Sequence, residues 1–182
     1  VGLLTLMAQA GLHLPVEPGS ALSPFKAVYA DIGDEQSIEQ NLSTFSAHMS
    51  NIVSILKEAD SEALILLDEL GAGTDPQEGA SLGLAILEAL LESGALVAVS
   101  THLTPLKYFA VRHPAVKTAS MEFDPESLAP TFHLIEGIPG RSNAFIIARN
   151  LGLDAALVAR AREFLAKGAV SYTHLRAHET SL

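Results

Sequence analysis

The chain has 182 residues, 48% of them hydrophobic and 18% charged, with a formal net charge of −10 and no cysteine. This is enough for one packed core, roughly 100–200 residues being usual for a domain, and the apolar share excludes a disordered chain. The acidic balance excludes a Lys/Arg-rich face for DNA or RNA phosphates. No apolar run reaches the ~18 residues of a membrane span, and the lack of a basic leader or a disulfide framework points to the cytoplasm.

Residues 1–11, VGLLTLMAQAG, are helix formers ending in glycine and predict a buried helix stopped by Gly11. No Ser, Thr, Asp or Asn precedes it to cap its free N–H groups, so the natural polypeptide is expected to continue upstream. Pro15, Pro18, Gly19 and Pro24 then mark a loop before the alternating run KAVYAD, read as a strand. From Ser43 to Ala59, Phe45, Met49, Ile52, Val53 and Leu56 recur at spacings of three and four, which predicts a helix with one buried face, capped by Ser43. ALILLD at 63–68 is an apolar run ending in acid, the pattern of a parallel strand buried on both faces with its C-terminal end open to a site. ALVAVS at 95–100 reads as a second such strand. Between them EGASLGLAILEALLES at 78–93, closed by Gly94, has helical period, and the strand–helix–strand order gives a right-handed crossover.

After His102 the pattern weakens until KTASMEF at 117–123 and PTFHLIEG at 130–137, a hairpin expected to cover one sheet edge. Residues 142–150 and 154–167 predict two helices joined at Gly152, with Asp154 capping the second. Past Lys167 periodicity stops, and SYTHLRAHETSL is read as a non-native tail, like translated adapter or vector sequence, that does not continue the helix.

The chemistry concentrates in ILLDELGAGTDP, where a buried strand ends in adjacent carboxylates, Asp68 and Glu69. In phosphoryl transfer one such acid holds a magnesium ion through water and the other orients the attacking water. A strand ending in two solvated acids is the plain alternative. Some thirty residues on, the next strand ends in Ser100, Thr101 and His102, an imidazole able to link Glu69 to a γ-phosphate, where an isolated histidine would be structural. NLSTFS at 41–46 feeds a helix N-terminus, which is an anion site or an ordinary cap. His48 is read as a surface or interface residue, and His174 and His178 lie in the tail without a third ligand.

Residues 31–80, the STH at 100–102 and IPGRSNAFIIARNLGL resemble the ATPase domain of MutS-family proteins over roughly residues 1–167, and most of all the bacterial type-2 branch, described as a recombination-suppressing endonuclease and ATPase that also acts on stalled ribosomes. The resemblance implies an α/β P-loop NTPase fold of the ABC/MutS type, a mostly parallel sheet flanked by helices. It implies Asp68 and Glu69 as Walker B acids, His102 as the switch histidine, and Ser43 and Thr44 on the signature helix that reaches a partner's ATP. Asp75 falls in the D-loop, and Gln36 is a weaker, Q-loop-like candidate. ATP and Mg²⁺ are the implied cofactors, sandwiched in a homodimer. DNA (mismatch repair or recombination suppression) or the ribosome would be met through domains absent from this chain.

No GxxxxGK[ST] occurs in the chain. In the family that loop lies just before the opening helix, so the P-loop strand is expected to be missing and these residues alone to bind ATP weakly or not at all. The expected organisation is a partial ATPase domain at 1–140, dimer-supporting or simply packing helices at 141–168, and the tail at 169–182. Two other readings stand beside the motor: a dimerisation module without activity, and another ABC-type ATPase such as a transporter subunit or chromosome-organising protein. The latter carry an LSGGQ-type signature, which NLSTFS is not.

Overall fold

The computed structural model describes residues 1–33, 41–124, 129–138, 140 and 143–179, with side chains omitted at 41–44, 130 and 168–179. The chain divides into two compact units, residues 1–117 and 118–182.

The first unit is built on a three-stranded parallel sheet in the order β1 (Ala27–Asp31), β2 (Ala63–Leu67), β3 (Leu96–Val99). Its register pairs Tyr29 with Ile65 and Ile65 with Val97. Each step between strands is a helical crossover, α2 (Asn41–Glu58) before β2 and α3 (Pro76–Ser93) before β3. Alternation along the strands sends Ala27, Tyr29, Ala63, Ile65, Leu67, Val97 and Val99 to one face, where they pack with Ile52 and Ile55 of α2 and Ile86 and Leu90 of α3. A further helix, α4 (Thr104–Arg112), adds the buried Leu106 to this core. Its shortness and polar composition hide α4 in the sequence, and only Leu106 of its nine residues is buried.

On the opposite face, α1 (Gly2–Gln9) sits close over β1 and β2. A Cβ at Gly2 would lie 2.5 Å from Leu66 Cδ1 and 3.7 Å from Val28 Cγ1. The helix closes before Gly11 (φ 74°), but it is not the buried helix expected: only Gly2 and Thr5 are buried, and Leu3 and Leu6 are exposed. Because α1 touches only that part of the sheet, β2 is buried on both faces while β3 alternates exposed and half-buried, with Leu96 58% exposed. The expectation of two equally buried strands is therefore corrected for β3, an edge strand whose apolar sequence cannot reveal what covers it.

Helix α2 begins at Asn41, two residues before the expected start. Ser43 is thus inside the first turn and is not its cap. Tyr29 of β1 donates its hydroxyl to Glu58 of α2 at 3.0 Å, and this bond to the carboxylate raises the phenol's pKa, keeping it a donor. Helix α3 starts two residues earlier than read: Asp75 caps it, Pro76 opens it, and Gly94 (φ 75°) closes it.

In the second unit, β4 (Ala119–Phe123) and β5 (Pro130–Glu136) form the expected antiparallel hairpin, a two-stranded sheet of their own. Helix α5 (Ala144–Asn150) and α6 (Ala155–Glu179) are joined at Gly152 (φ 96°), and Asp154 accepts the Ala156 N–H at 2.8 Å as the cap. The helical pattern of α6 does not stop at Lys167 but runs to Glu179, since Gly168 alone does not end a helix and no proline follows. Among the described residues no helix is long and apolar enough to cross a membrane.

Ile65 is fully buried at the centre of the core. Ile65→Ala is expected to destabilise the first unit by about 3–4 kcal/mol in urea unfolding. Leu96→Ala, on the exposed edge, should cost well under half of that.

Candidate functional site

At the C-terminal rim of the sheet, the β2–β3 pairing continues past the strands. Ser100 N–H donates to Leu67 O at 2.9 Å and Leu70 N–H to Ser100 O at 3.1 Å, so residues 68–70 and 100–102 leave the sheet side by side. Across this junction His102 Nδ1 lies 2.6 Å from Glu69 Oε2. An ionised carboxylate can only accept, so Nδ1–H is the donor and Nε2 takes no part in this contact. Both groups are open to solvent, Glu69 at 52% and His102 at 64% exposure of the side chain.

Glu69 holds φ at 50°, a left-handed conformation that is uncommon for a non-glycine residue and costs of order 1–3 kcal/mol unless the surroundings fix it. They do so here. Its N–H donates to Ser100 Oγ at 2.9 Å, its carbonyl accepts Ala72 N–H at 2.9 Å, and the next carbonyl, of Leu70, accepts Thr101 Oγ1 at 3.1 Å. Ser100 Oγ in turn donates to Asp68 Oδ1, which orients the first acid from the neighbouring strand.

The turn after the acids depends on glycine. Gly71 and Gly73 both have φ 85°, and Gly79 in the first turns of α3 approaches so closely that a Cβ there would sit 2.1 Å from Gly71 O. Asp75 accepts from the N–H groups of Gln77 (2.9 Å) and Glu78 (3.2 Å), so its carboxylate is engaged in fixing the start of α3.

A pocket of about 130 Å³ opens beside the acids, lined by Asp31, Phe45, His48, Met49 and the 68–73 turn among others. The placement of the sequence candidates is thus uneven. Asp68, Glu69 and His102 share one rim. Asp75 acts as a helix cap, Ser43 and Thr44 lie in the first turn of α2 without described side chains, and Gln36 falls outside the described residues.

Sequence reasoning missed Asp31. It ends β1 almost completely buried and binds His48 Nδ1 at 2.9 Å and Asn51 Nδ2 at 2.9 Å. His48 is therefore half-buried and partnered rather than a plain surface residue. The signal available was a carboxylate at the end of an otherwise apolar strand, the same signal that marks Asp68.

Asp68 fits a hard cation. It is exposed and held by one oxygen, and among the described residues no group of three or more His, Asp or Glu could hold a metal unaided. That donor set suits Mg²⁺, which takes one or two carboxylates and completes its shell with phosphate and water.

A parallel sheet with an acid pair and an imidazole at its C-terminal rim is an α/β domain with its site outside the carboxyl ends of the strands. Its match to the family described as MutS domain V, over residues 1–168, makes it one of the P-loop NTPase type. The chain belongs to the MutS family through that domain. Proteins named Endonuclease MutS2 from Thermomicrobium roseum, Geobacillus kaustophilus and Thermotoga maritima are 62%, 59% and 56% identical over 169, 162 and 167 residues, respectively 93%, 89% and 92% of this chain. The chain spans 21–22% of the length of these relatives.

The Gly71–Gly79 contact generates a stability prediction. Gly79→Ala places a methyl group on a carbonyl oxygen and is expected to cost about 3 kcal/mol in urea unfolding. Gly83→Ala, whose nearest neighbour is the movable Leu106 side chain at 3.0 Å, should change stability by less than about 1 kcal/mol, because alanine's helix propensity offsets the crowding.

Proposed function

We propose that this chain supplies the hydrolytic side of an ATP site in a MutS-type motor. The observation that carries the reading is the 2.6 Å Glu69–His102 pair, standing exposed beside Asp68 in a MutS domain V. Glu69 orients the attacking water and takes its proton. His102 holds Glu69 through Nδ1 and offers Nε2 to the γ-phosphate, which positions both groups before the substrate arrives. Asp68, aimed by Ser100, would hold Mg²⁺ through water, which would supply positive charge against the phosphate oxygens.

Ser43 and Thr44, in the first turn of α2, present N–H groups and the positive end of a helix dipole to a second copy's phosphates. This makes the working unit a homodimer with ATP between the subunits. Asp75 contributes by capping α3, against which the turn after the acids packs, and Gln36 is the weakest member. The acidic balance argues that DNA or the ribosome is met by other parts of the protein, in the cytoplasm. The relatives' name carries an endonuclease, an activity for which these residues hold no separate pattern.

In the full-length protein, Glu69→Ala is expected to lower ATP turnover about a hundredfold or more, while light scattering still reports a dimer. Turnover equal to the wild type would overturn the motor reading and leave a dimerisation module.

A further inference from the structure

We infer that Asp31 is a positioning residue that, with His48 and Asn51, ties helix α2 to the carboxylate rim, so that the placement of α2 sets the placement of Asp68. The inference rests on the hydrolytic reading above.

Asp31 acts in two directions at once. Its main-chain carbonyl accepts the Asp68 N–H at 2.8 Å, a rung that holds the metal-side acid at the end of β2. Its carboxylate reaches the other way, with Oδ2 on His48 and Oδ1 on Asn51, both at 2.9 Å. His48 and Asn51 are three residues apart, hence on one face of α2. Asn51 also donates to Ala30 O at 3.0 Å, which repeats the tie one residue earlier on β1. A displacement of α2 therefore pulls directly on the residue that fixes Asp68.

Docking of α2 does not require this arrangement. Ile52 and Ile55 already bury that helix against the sheet. A carboxylate 6% exposed pays a desolvation penalty that a well-packed apolar group avoids. What the buried acid adds is a fixed register between the helix and the rim. Asp31 and His48 also line the pocket that Asp68 and Glu69 line, so the tie runs along the wall of the site. Helix α2 carries Ser43 and Thr44 at its start. Whatever phosphate meets that end is thereby coupled to the acids through Asp31.

The test uses the full-length protein with Asp31→Ala, Asp31→Asn, His48→Ala and the Asp31→Ala/His48→Ala double variant. Turnover is measured per folded subunit, with folding checked by circular dichroism and thermal melting. Asp31→Ala is expected to lower kcat about tenfold or more with little change in KM for Mg-ATP, since the Asp31 carboxylate is buried and both its oxygens are engaged by α2. Asp31→Asn, which retains an acceptor, should recover part of the loss. The double variant should be no worse than Asp31→Ala alone, because both changes break one contact. If Asp31→Ala does not fold, a lowered kcat in His48→Ala carries the same conclusion. Wild-type kcat per folded subunit in the variants that fold, or additive losses in the double variant, would overturn the inference. The two readings separate cleanly. Glu69→Ala inactive beside an Asp31→Ala protein of normal kcat rejects this inference alone, and Glu69→Ala with full turnover rejects both.

Discussion

Two main-chain hydrogen bonds beyond the last paired residues of β2 and β3 carry the rest of the site. Ser100 N–H to Leu67 O and Leu70 N–H to Ser100 O keep the exiting chains within side-chain reach of each other, where strands normally diverge into separate loops. Because side chains alternate along a strand, a slip of one residue would turn every group to the opposite face. With the register as it is, Glu69 meets His102, and Ser100 meets both the Glu69 N–H and the Asp68 carboxylate. The left-handed backbone of Glu69 is the local cost of that convergence, offset by hydrogen bonds on both sides of the residue.

The core explains why the rim is rigid enough for chemistry. Helices α2, α3 and α4 bury the same face of the sheet, and the two crossover helices start or end near the acids. Gly71 and Gly79 let the turn after Glu69 lie directly on α3. Asp31 joins the turn's other neighbour, α2, to the same spot. The site is thus braced from three elements, two through main-chain contacts and one through a buried carboxylate.

Much of this was legible in the residues. A five-residue apolar run ending in two acids could hardly be other than a buried strand, and β2 is buried throughout. The helix between 78 and 93 announced itself through period and through Gly94. Other features leave no trace in sequence. Four polar residues in NLSTFS could each cap a helix, so the sequence alone could not place Ser43 inside α2 rather than at its cap. The exposure of β3 depends on how far α1 extends over the sheet, a tertiary fact. Asp31 carries the same strand-end signal as Asp68, but its partners do not show, since they come from a helix seventeen and twenty residues on, at a spacing no local pattern encodes. Helix α4 is hard to read because its nine residues are polar on average and bury a single side chain, Leu106.

The central claim is that an outermost phosphate rests where Glu69 and His102 converge. A crystal structure of the full-length protein with Mg²⁺ and a non-hydrolysable ATP analogue measures it directly. The account predicts the γ-phosphate within about 3 Å of His102 Nε2, with a water between it and Glu69. A triphosphate seated elsewhere, with Glu69 and His102 both turned to solvent, would contradict it.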